Sequence, residues 1–291
     1  MTDWAAITAH IGSTTGRPFA PRAPRVIGGG SINAAAALSD GTRGYFVKRN
    51  RAALADMFAA EAAGLTELAA SRAIRVPSPI CWGQTGAVSY IVLELLVLGG
   101  PARGAVAGRQ LAALHRTRSP TFGWQRDNFI GSTPQRNAQG SDLVAFWRDQ
   151  RLGYQLALAA KNGYERDLQP GGERLLADLD TFLKHQPQPS LLHGDLWGGN
   201  LGYLADGQPV IFDPAVYFGD READLAMTEL FGGSGADFYA AYREAWPLDP
   251  GYPVRRTLYN LYHVLNHLNL FGGSYLAQAR GMIERLLAEV R

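Results

Sequence analysis

The sequence predicts an α+β fold of two lobes, a small N-terminal one built on an antiparallel sheet and a larger, mainly helical C-terminal one. Residues 1–97 contain short apolar segments bounded by turn residues, which is typical of strands and hairpins. Residues 98–291 contain longer segments whose apolar residues recur at helical spacing. A chain of 291 residues is long enough for two modest domains, so we expect these two ranges to be the lobes.

The composition excludes several classes of protein. Hydrophobic residues make up 46% of the chain and charged residues 19%, as in globular rather than disordered proteins. A net charge of +2 is too small to suggest binding to nucleic acid or to a membrane surface. The longest apolar run, residues 88–98, is too short to span a bilayer. The chain starts without the pattern of a signal peptide and has one cysteine, Cys81, so we expect a cytoplasmic protein without disulfides.

The small lobe is predicted to open with a helix within residues 1–20. Asp40-Gly41 then separates residues 26–40 from residues 44–49, and Asp-Gly between two such segments is typical of a hairpin. The alanines at 34–37 favour a helix instead. The other elements predicted for this lobe are a helix over 52–70 and a strand pair over 80–82 and 88–93.

The large lobe begins after Gly99-Gly100-Pro101, and helical periodicity dominates it. A short apolar strand at residues 209–212 interrupts the helices. We expect a hinge near residues 94–100 and a ligand in the cleft between the lobes, where pockets commonly form. The predicted helices cover residues 106–115, 143–160, 174–184, 224–230, 237–246, 257–271 and 274–290.

Residues 193–200 read His-Gly-Asp-Leu-Trp-Gly-Gly-Asn, and Asp213 follows the next apolar strand. An Asp five residues before an Asn, followed by an Asp after a strand, is the arrangement that phosphoryl transfer from a nucleotide requires. We predict that Asp195 is the catalytic base and that Asn200 and Asp213 are ligands of Mg²⁺. The alternative is ordinary turn and capping chemistry. The sequence therefore predicts a small-molecule kinase that uses ATP and Mg²⁺.

A glycine-rich segment of the small lobe is a candidate for covering the phosphates, because glycines let backbone amides approach an anion closely. It fits neither G-x-G-x-x-G, since Asn33 stands where the last glycine would be, nor the Walker pattern. An ordinary tight turn is the alternative. The candidate nucleotide-binding residues of this segment are Gly28, Gly29, Gly30, Ser31 and Ile32.

Lys48 lies on the second strand of the predicted hairpin, from which a lysine can neutralise phosphate oxygens; the alternative is a solvated surface lysine. Glu61 shares the apolar face of its helix, and an inward carboxylate is costly unless it is paired. We predict a Lys48–Glu61 ion pair, with a Glu61 that reaches water as the alternative. At the predicted hinge, Glu94 and Leu96 are expected to present backbone groups to an adenine edge.

Two aromatic side chains are candidates for the acceptor pocket. Trp197 lies inside the catalytic octapeptide and could wall the pocket of a sugar-like substrate, with core packing as the alternative. His263 and His267 are spaced i, i+4, but Val264 replaces the glutamate that a zinc protease requires after the first histidine. We predict that His267 lines the substrate pocket, and a buried polar network is the alternative.

The helix after Gly219 begins with several charged residues. Asp220 is a candidate cap of this helix. Asp224 is expected to accept amide hydrogen bonds from the catalytic loop. Arg221 and Glu222 are either a surface pair or part of the site.

With these residues in view, the chain resembles the fructosamine-3-kinase (ketosamine-3-kinase) family, within the aminoglycoside-phosphotransferase-like kinases. The resemblance implies a bilobal protein-kinase-like fold and ATP-dependent phosphorylation of the 3-hydroxyl of a ketoamine, a fructosamine or ribulosamine adduct. The product would eliminate phosphate and free the amine, a deglycation role, and a monomer is favoured. Family members often carry Cys where Ser31 stands. The resemblance rests on residues 28–32, 46–48, 115–116, 122–124, 127–131, 133–135, 137, 193–200, 213–215, 219–226, 261–263 and 265–267.

Other functions remain possible on the same residues. The first is a kinase for another small hydroxyl or amine substrate, such as an aminoglycoside, choline or homoserine, since the acidic residues would be the same. The second is a nucleotide-binding pseudoenzyme or regulator, which Lys48, Asp195 and Asp213 argue against. A protein kinase is disfavoured because the sequence contains neither Asp-Phe-Gly nor Ala-Pro-Glu.

Overall fold

The small lobe of the computed structural model, which describes residues 4–28 and 32–290, is a five-stranded antiparallel sheet with one helix on each face. The strands lie in the order β1-β2-β3-β5-β4. Their bounds are β1 Arg25–Ile27, β2 Ala34–Ser39, β3 Gly44–Arg51, β4 Pro79–Thr85 and β5 Val88–Glu94, and the helices are α1 Trp4–Thr15 and α2 Ala55–Ala70.

The predicted Asp40-Gly41 hairpin between β2 and β3 is confirmed. Asp40 Oδ1 accepts the backbone N–H groups of Thr42 at 2.9 Å and Arg43 at 2.7 Å, so the carboxylate holds the turn. The helical alternative for residues 34–37 is wrong. The reason is tertiary: β2 pairs with two strands and buries its residues against the helices, which outweighs the helix propensity of alanine.

Alternate side chains of the sheet pack into two different hydrophobic cores. Leu38 and Val47 point towards α1 and pack with Ile7 and Ile11. Residues of the opposite face, such as Ile91, join the core that continues through α2 into the large lobe. This period of two is what a sheet covered on both faces requires.

The large lobe consists of helices and three short two-stranded sheets. Its helices are α3 Gly104–Leu114, α4 Leu143–Phe146, α5 Gly153–Ala159, α6 Glu165–Ala177, α7 Leu179–Phe182, α8 Glu222–Leu230, α9 Ala236–Ala245, α10 Tyr252–Phe271 and α11 Leu276–Glu289. Its strand pairs are β6 Asn128–Ile130 with β7 Thr133–Gln135, β8 Ser190–Leu192 with β11 Tyr217–Gly219, and β9 Leu201–Tyr203 with β10 Pro209–Ile211.

Helices α6 and α10 start five or more residues earlier than the periodicity predicts. Helix α6 begins at Glu165 rather than at 174 and contains Pro170. Later in this helix, Gly172 permits close packing against α5, because a Cβ there would lie 2.8 Å from Leu156. Helix α10 begins at Tyr252 with a proline in its first turn, a position where proline favours a helix start.

The two lobes are connected beyond β5, which ends at Glu94. The hinge near residues 94–100 stays a prediction. After Glu94 the chain is joined to the β9–β10 region of the large lobe by a β-bridge between Leu98 and Leu204. Arg75 adds a second link, since its carbonyl accepts the N–H of Ile211 at 3.0 Å. Among the described residues, no helix combines the length and the apolar composition that crossing a bilayer requires.

Candidate active site

The catalytic loop, residues 193–200, begins where β8 ends, and Asp224 of α8 binds its backbone. The Asp224 carboxylate accepts the backbone N–H of His193 at 2.7 Å and that of Gly194 at 2.8 Å, as the sequence predicted. His115 contacts the same carboxylate at 3.2 Å through Nε2. Gly194 has φ +83°, and a Cβ there would lie 2.0 Å from the carbonyl oxygen of Ala215. The loop therefore needs glycine at this turn.

His193 braces the loop with both ring nitrogens. Its Nδ1 accepts the N–H of Asp195 at 3.3 Å, and its Nε2 donates to the carbonyl of Phe212 at 2.9 Å. Burial lowers the pKa of His193, which keeps the ring neutral as these two bonds require. The histidine thus ties the predicted base to the strand that precedes Asp213.

The environment of Asp195 suits a general base. Burial, with further contributions from the charges of Asp213 and Asp224, raises the pKa of Asp195 from 3.8 to about 7. A base whose pKa lies near the working pH is effective because it is ionised and still takes up a proton readily. The negative charge of Asp213 thus helps to keep Asp195 able to take up a proton near neutral pH.

Asn200 and Asp213 are brought together by the β9–β10 pair. Asn200 Nδ2 donates to the carbonyl of Asp195 at 2.8 Å, which turns the amide oxygen away from that carbonyl. The N–H of Phe212 donates to the carbonyl of Asn200 at 3.1 Å, so the segment that carries Asp213 runs beside the loop. One amide oxygen and one half-exposed carboxylate form a donor set of hard oxygens, which fits Mg²⁺.

The small lobe contributes Lys48 to the same site, and the predicted ion pair is present. Lys48 Nζ lies 2.7 Å from Glu61 Oε1 and also contacts Asp213 Oδ1. Lys48 is 5% exposed. Burial by itself would lower the pKa of Lys48, but the carboxylates of Asp213 and Glu61 raise it above its ordinary value. The surface alternatives for Lys48 and Glu61 are therefore wrong.

The structure describes only some of the other residues that were predicted to contact the nucleotide. Gly29, Gly30 and Ser31 lie outside the described residues. Gly28 is exposed, and the carbonyl of Ile32 accepts Asn50 Nδ2 at 2.9 Å.

At the hinge, the N–H of Glu94 donates to the carbonyl of Ser78 at 2.9 Å, and its carboxylate contacts Arg75 at 2.5 Å. These groups are engaged within the protein. The adenine-binding prediction is therefore narrowed to the carbonyl of Glu94 and the backbone of Leu96.

An aromatic wall of five rings, Trp197, Phe231, His267, Phe271 and Tyr275, extends from the catalytic loop to the end of α10. Phe231 lies 6.4 Å from Trp197 and 4.8 Å from His267, measured between ring centroids. Trp197 is 41% exposed, so the core-packing alternative for it is wrong. Burial lowers the pKa of His267, which leaves the wall uncharged at neutral pH.

Sequence reasoning brought only Trp197 and His267 of this wall to attention. Phe271 follows His267 by one helical turn, and this spacing could have revealed it. Phe231 lies in a loop, where no periodic signal exists. The neighbouring His263 is buried, and burial lowers its pKa to about 3, so it is a neutral side chain of the interior.

The charged cluster at the start of α8 is structural, and neither prediction for Arg221 and Glu222 is correct. Arg221 is buried and donates to the carbonyl of Pro247 at 2.5 Å. Glu222 is buried and accepts two hydrogen bonds from Arg255, at 2.7 and 3.1 Å. Asp220 caps the helix by accepting the N–H of Glu222 at 3.1 Å. The residues are internal because their partners lie on other helices, which the local sequence does not reveal.

Comparison with known proteins agrees with this geometry. The sequence model of the fructosamine kinase family matches residues 3–289. A probable ketoamine kinase of Synechocystis is 49% identical over 291 residues, which cover 98% of this chain and 97% of that protein. The chloroplastic protein-ribulosamine 3-kinase of Arabidopsis thaliana is 43% identical over 268 residues, 90% of this chain and 81% of that protein.

The likeness extends to solved structures. The crystal structure of a proposed fructosamine-3-kinase from Haemophilus somnus matches with a TM-score of 0.91 at 29% identity, covering 98% of this chain and 97% of that one. The two-lobed fold of this chain agrees with that structural match. The chain belongs to the fructosamine kinase family.

Proposed function

We propose that this protein transfers the γ-phosphoryl group of ATP to the 3-hydroxyl of ketoamines, the fructosamine and ribulosamine adducts of amines. The observation that carries this proposal is the convergence of Asp195, Asn200, Asp213 and Lys48. The family membership supports the ketoamine as the acceptor, since the relatives are described as ketoamine and ribulosamine kinases. A phosphate at O3 of such an adduct is a good leaving group, so phosphorylation leads to loss of phosphate and release of the amine.

Asp195 is the base of the proposed reaction. With its pKa near 7, a large fraction of the carboxylate is ionised at neutral pH. It accepts the proton of the acceptor hydroxyl as the oxygen attacks the γ-phosphorus. His193 and Asp224 do not touch the substrate in this mechanism; they fix the backbone that carries Asp195.

The small lobe and Asp213 are proposed to bind the phosphates of ATP. Lys48 neutralises phosphate oxygens while Glu61 keeps the ammonium in place. Asn200 and Asp213 hold Mg²⁺, which supplies positive charge against the β- and γ-phosphates. Residues 28–32 and the backbone of Glu94 and Leu96 are proposed to contact the remainder of the nucleotide.

The acceptor is proposed to lie along the aromatic wall. Trp197, two residues after the base in sequence, presents an exposed ring to one face of the sugar. His267 and its ring neighbours extend the surface towards the amine substituent. An uncharged aromatic surface suits a substituent that is a protonated amine, because cations bind favourably to aromatic faces.

The test is ATP consumption with a panel of acceptors: fructoselysine, a ribulosamine, free fructose, choline and an aminoglycoside. We expect turnover with the two ketoamines and none above background with free fructose. The Asp195→Asn variant is the matched control, since it keeps the size of the side chain and loses the base. Preferential turnover of choline or the aminoglycoside would refute the ketoamine assignment and favour a related small-molecule kinase.

We further propose that the enzyme is cytoplasmic and acts as a monomer. Lys48, Glu61 and Asp213 already meet within one chain, so the proposed phosphate site does not require a residue from a second copy. Cys81 is buried, and burial raises the pKa of its thiol to about 11, so it is poorly suited to disulfide formation. Size-exclusion chromatography with light scattering tests the monomer, and a dimer that alone is active would contradict it.

A further inference from the structure

The β6–β7 hairpin contains the Gly131-x-Thr133-Pro134-Gln135 motif, and the proposed reaction assigns no role to it. Two amide side chains, Asn128 at its start and Gln135 at its end, face the interior of the large lobe. They are 3% and 1% exposed. Buried amides are costly unless all of their hydrogen-bonding groups are engaged. Their partners therefore indicate what this hairpin does.

Both amides hold the segment that follows Asp213. Asn128 Nδ2 donates to the carbonyl of Val216 at 2.7 Å. Gln135 Nε2 donates to the carbonyl of Ala215 at 2.9 Å. On its other side Ala215 donates its N–H to the carbonyl of His193 at 2.8 Å. The backbone just beyond Asp213 is thus fixed between the hairpin and the catalytic loop.

Asp213 needs such support because its backbone is in the left-handed region, with φ +58°. Residues other than glycine adopt this conformation uncommonly, although aspartate tolerates it better than most, so fixed neighbouring backbone helps to maintain it. The side chain is half-exposed and projects towards Lys48. The direction of the carboxylate therefore depends on a backbone conformation that its own chain does not favour.

A chain of further hydrogen bonds fixes the orientation of the two amides. Gln135 Nε2 donates to Asn128 Oδ1 at 2.8 Å, and Asn137 Nδ2 donates to the same oxygen at 2.8 Å. Tyr262 of α10 donates its hydroxyl to Gln135 Oε1 at 2.7 Å. Arg151 Nη2 donates to Asn137 Oδ1 at 2.8 Å. Neither amide can flip without breaking these bonds.

We propose that Asn128 and Gln135 are positioning residues that hold Asp213 in the orientation in which it binds the metal–nucleotide complex. The inference rests on the proposed function, because it assumes that Asp213 is a metal ligand. Neither amide touches the substrate or the reacting atoms. Removing a partner that orients a metal ligand typically lowers metal affinity 10–100-fold, so the expected effect is on metal binding and not only on stability.

The experiment compares full-length variants in a binding assay that does not depend on turnover. Calorimetry measures the affinity for ADP with saturating Mn²⁺ and for ADP in the presence of EDTA. For Gln135→Met we expect affinity for Mn²⁺–ADP to fall at least tenfold while affinity for metal-free ADP changes by less than about twofold. The concentration of Mg²⁺ that gives half-maximal velocity should rise in parallel.

Gln155→Met is the matched control. Gln155 is fully buried like Gln135, but its partners are Asn266, Asn269 and the hydroxyl group of Tyr262 and not the segment after Asp213. We expect this variant to lose thermal stability without losing affinity for Mn²⁺–ADP. Tyr262→Phe is a milder second variant, because it removes a hydroxyl that donates to Gln135 and interacts with Gln155 but leaves the amide bonds to the segment after Asp213 in place. We therefore expect a loss of Mn²⁺–ADP affinity of about two- to fivefold, smaller than the 10–100-fold loss expected for removal of the orienting partner itself.

Unchanged Mn²⁺–ADP affinity in folded Gln135→Met or Tyr262→Phe would overturn the positioning role. An equal loss in Gln155→Met would also overturn it, because the effect would then be one of general destabilisation. The positioning role and the proposed function can be refuted independently of each other. A wild-type protein that binds Mn²⁺–ADP in this pattern but phosphorylates no ketoamine would refute the acceptor and leave the positioning role intact.

Discussion

Asp195→Asn should abolish activity and at the same time stabilise the folded protein. Because the native environment raises the pKa of Asp195 from 3.8 to about 7, ionisation of this carboxyl disfavours the folded state. The stability associated with the protonated carboxyl is fully present below about pH 4, the pKa of the unfolded chain, and is lost as the pH rises to about 7. Above pH 7 the loss is complete.

The size of the effect follows from the pKa difference. About three pKa units, at about 1.4 kcal/mol each, give an upper limit of about 4 kcal/mol. The side chain retains some contact with solvent, so we expect about 1–2 kcal/mol in practice. The gain in the free energy of unfolding should be larger at pH 8 than at pH 5, because only part of the pKa interval has been crossed at pH 5.

Urea denaturation at the two pH values measures the gain, and steady-state kinetics on the same samples measures activity. We expect kcat to fall about 10²–10⁴-fold with the affinity for ATP little changed. For the wild type, kcat/KM should rise with pH and level off above about pH 7. An Asn variant with near-normal kcat, or one whose stability gain is the same at pH 5 and pH 8, would refute the reasoning.

Three further substitutions test the remaining parts of the site. Asp213→Ala should abolish Mg²⁺-dependent activity, and retained activity would contradict its role as a ligand. Lys48→Met leaves Glu61 buried without its partner, so we expect the free energy of unfolding to fall by about 3–5 kcal/mol and KM for ATP to rise. Adding Glu61→Gln to this variant should restore stability but not ATP affinity. Recovery of both would contradict the role of Lys48 in phosphate binding. Trp197→Ala should raise KM for the ketoamine and not for ATP, whereas an unchanged ketoamine KM would exclude Trp197 from the acceptor pocket.

Much of the site could be predicted from the sequence because its chemistry is local. The octapeptide places Asp195 and Asn200 within one loop, and a short strand pair must bring Asp213 beside them. The pairing of Lys48 with Glu61 could also be predicted, because a carboxylate on an apolar helix face requires a cation. In both cases the chemistry of one residue restricts the kind of residue that must lie beside it.

Features that depend on distant segments could not be predicted in this way. Asn128 and Gln135 read as ordinary polar residues, and only the fold shows that they hold carbonyl groups far along the chain. Helix α6 continues through Pro170, although proline usually ends a helix, and buries Leu168 and Leu175 in the core of the large lobe. Arg221 likewise resembles a surface residue in sequence but is buried by α9 and the loop that follows it.

The bridge from Lys48 to both Glu61 and Asp213 makes the lobes interdependent. The lysine belongs to the sheet, Glu61 to α2 and Asp213 to the large lobe. An incoming nucleotide phosphate competes with Asp213 for the ammonium, because both are anions. Nucleotide binding is therefore expected to release the Asp213 carboxylate for the metal that accompanies it.

The most direct test of the kinase assignment is to locate the transferred phosphate. Wild-type protein is incubated with fructoselysine, ATP and Mg²⁺, and the product is examined by ³¹P and ¹H NMR before it decomposes. We predict a phosphate ester on O3 that forms with the wild type and not with Asp195→Asn, followed by release of lysine. Phosphate on another oxygen, or ATP hydrolysis that fructoselysine does not change, would contradict the assignment.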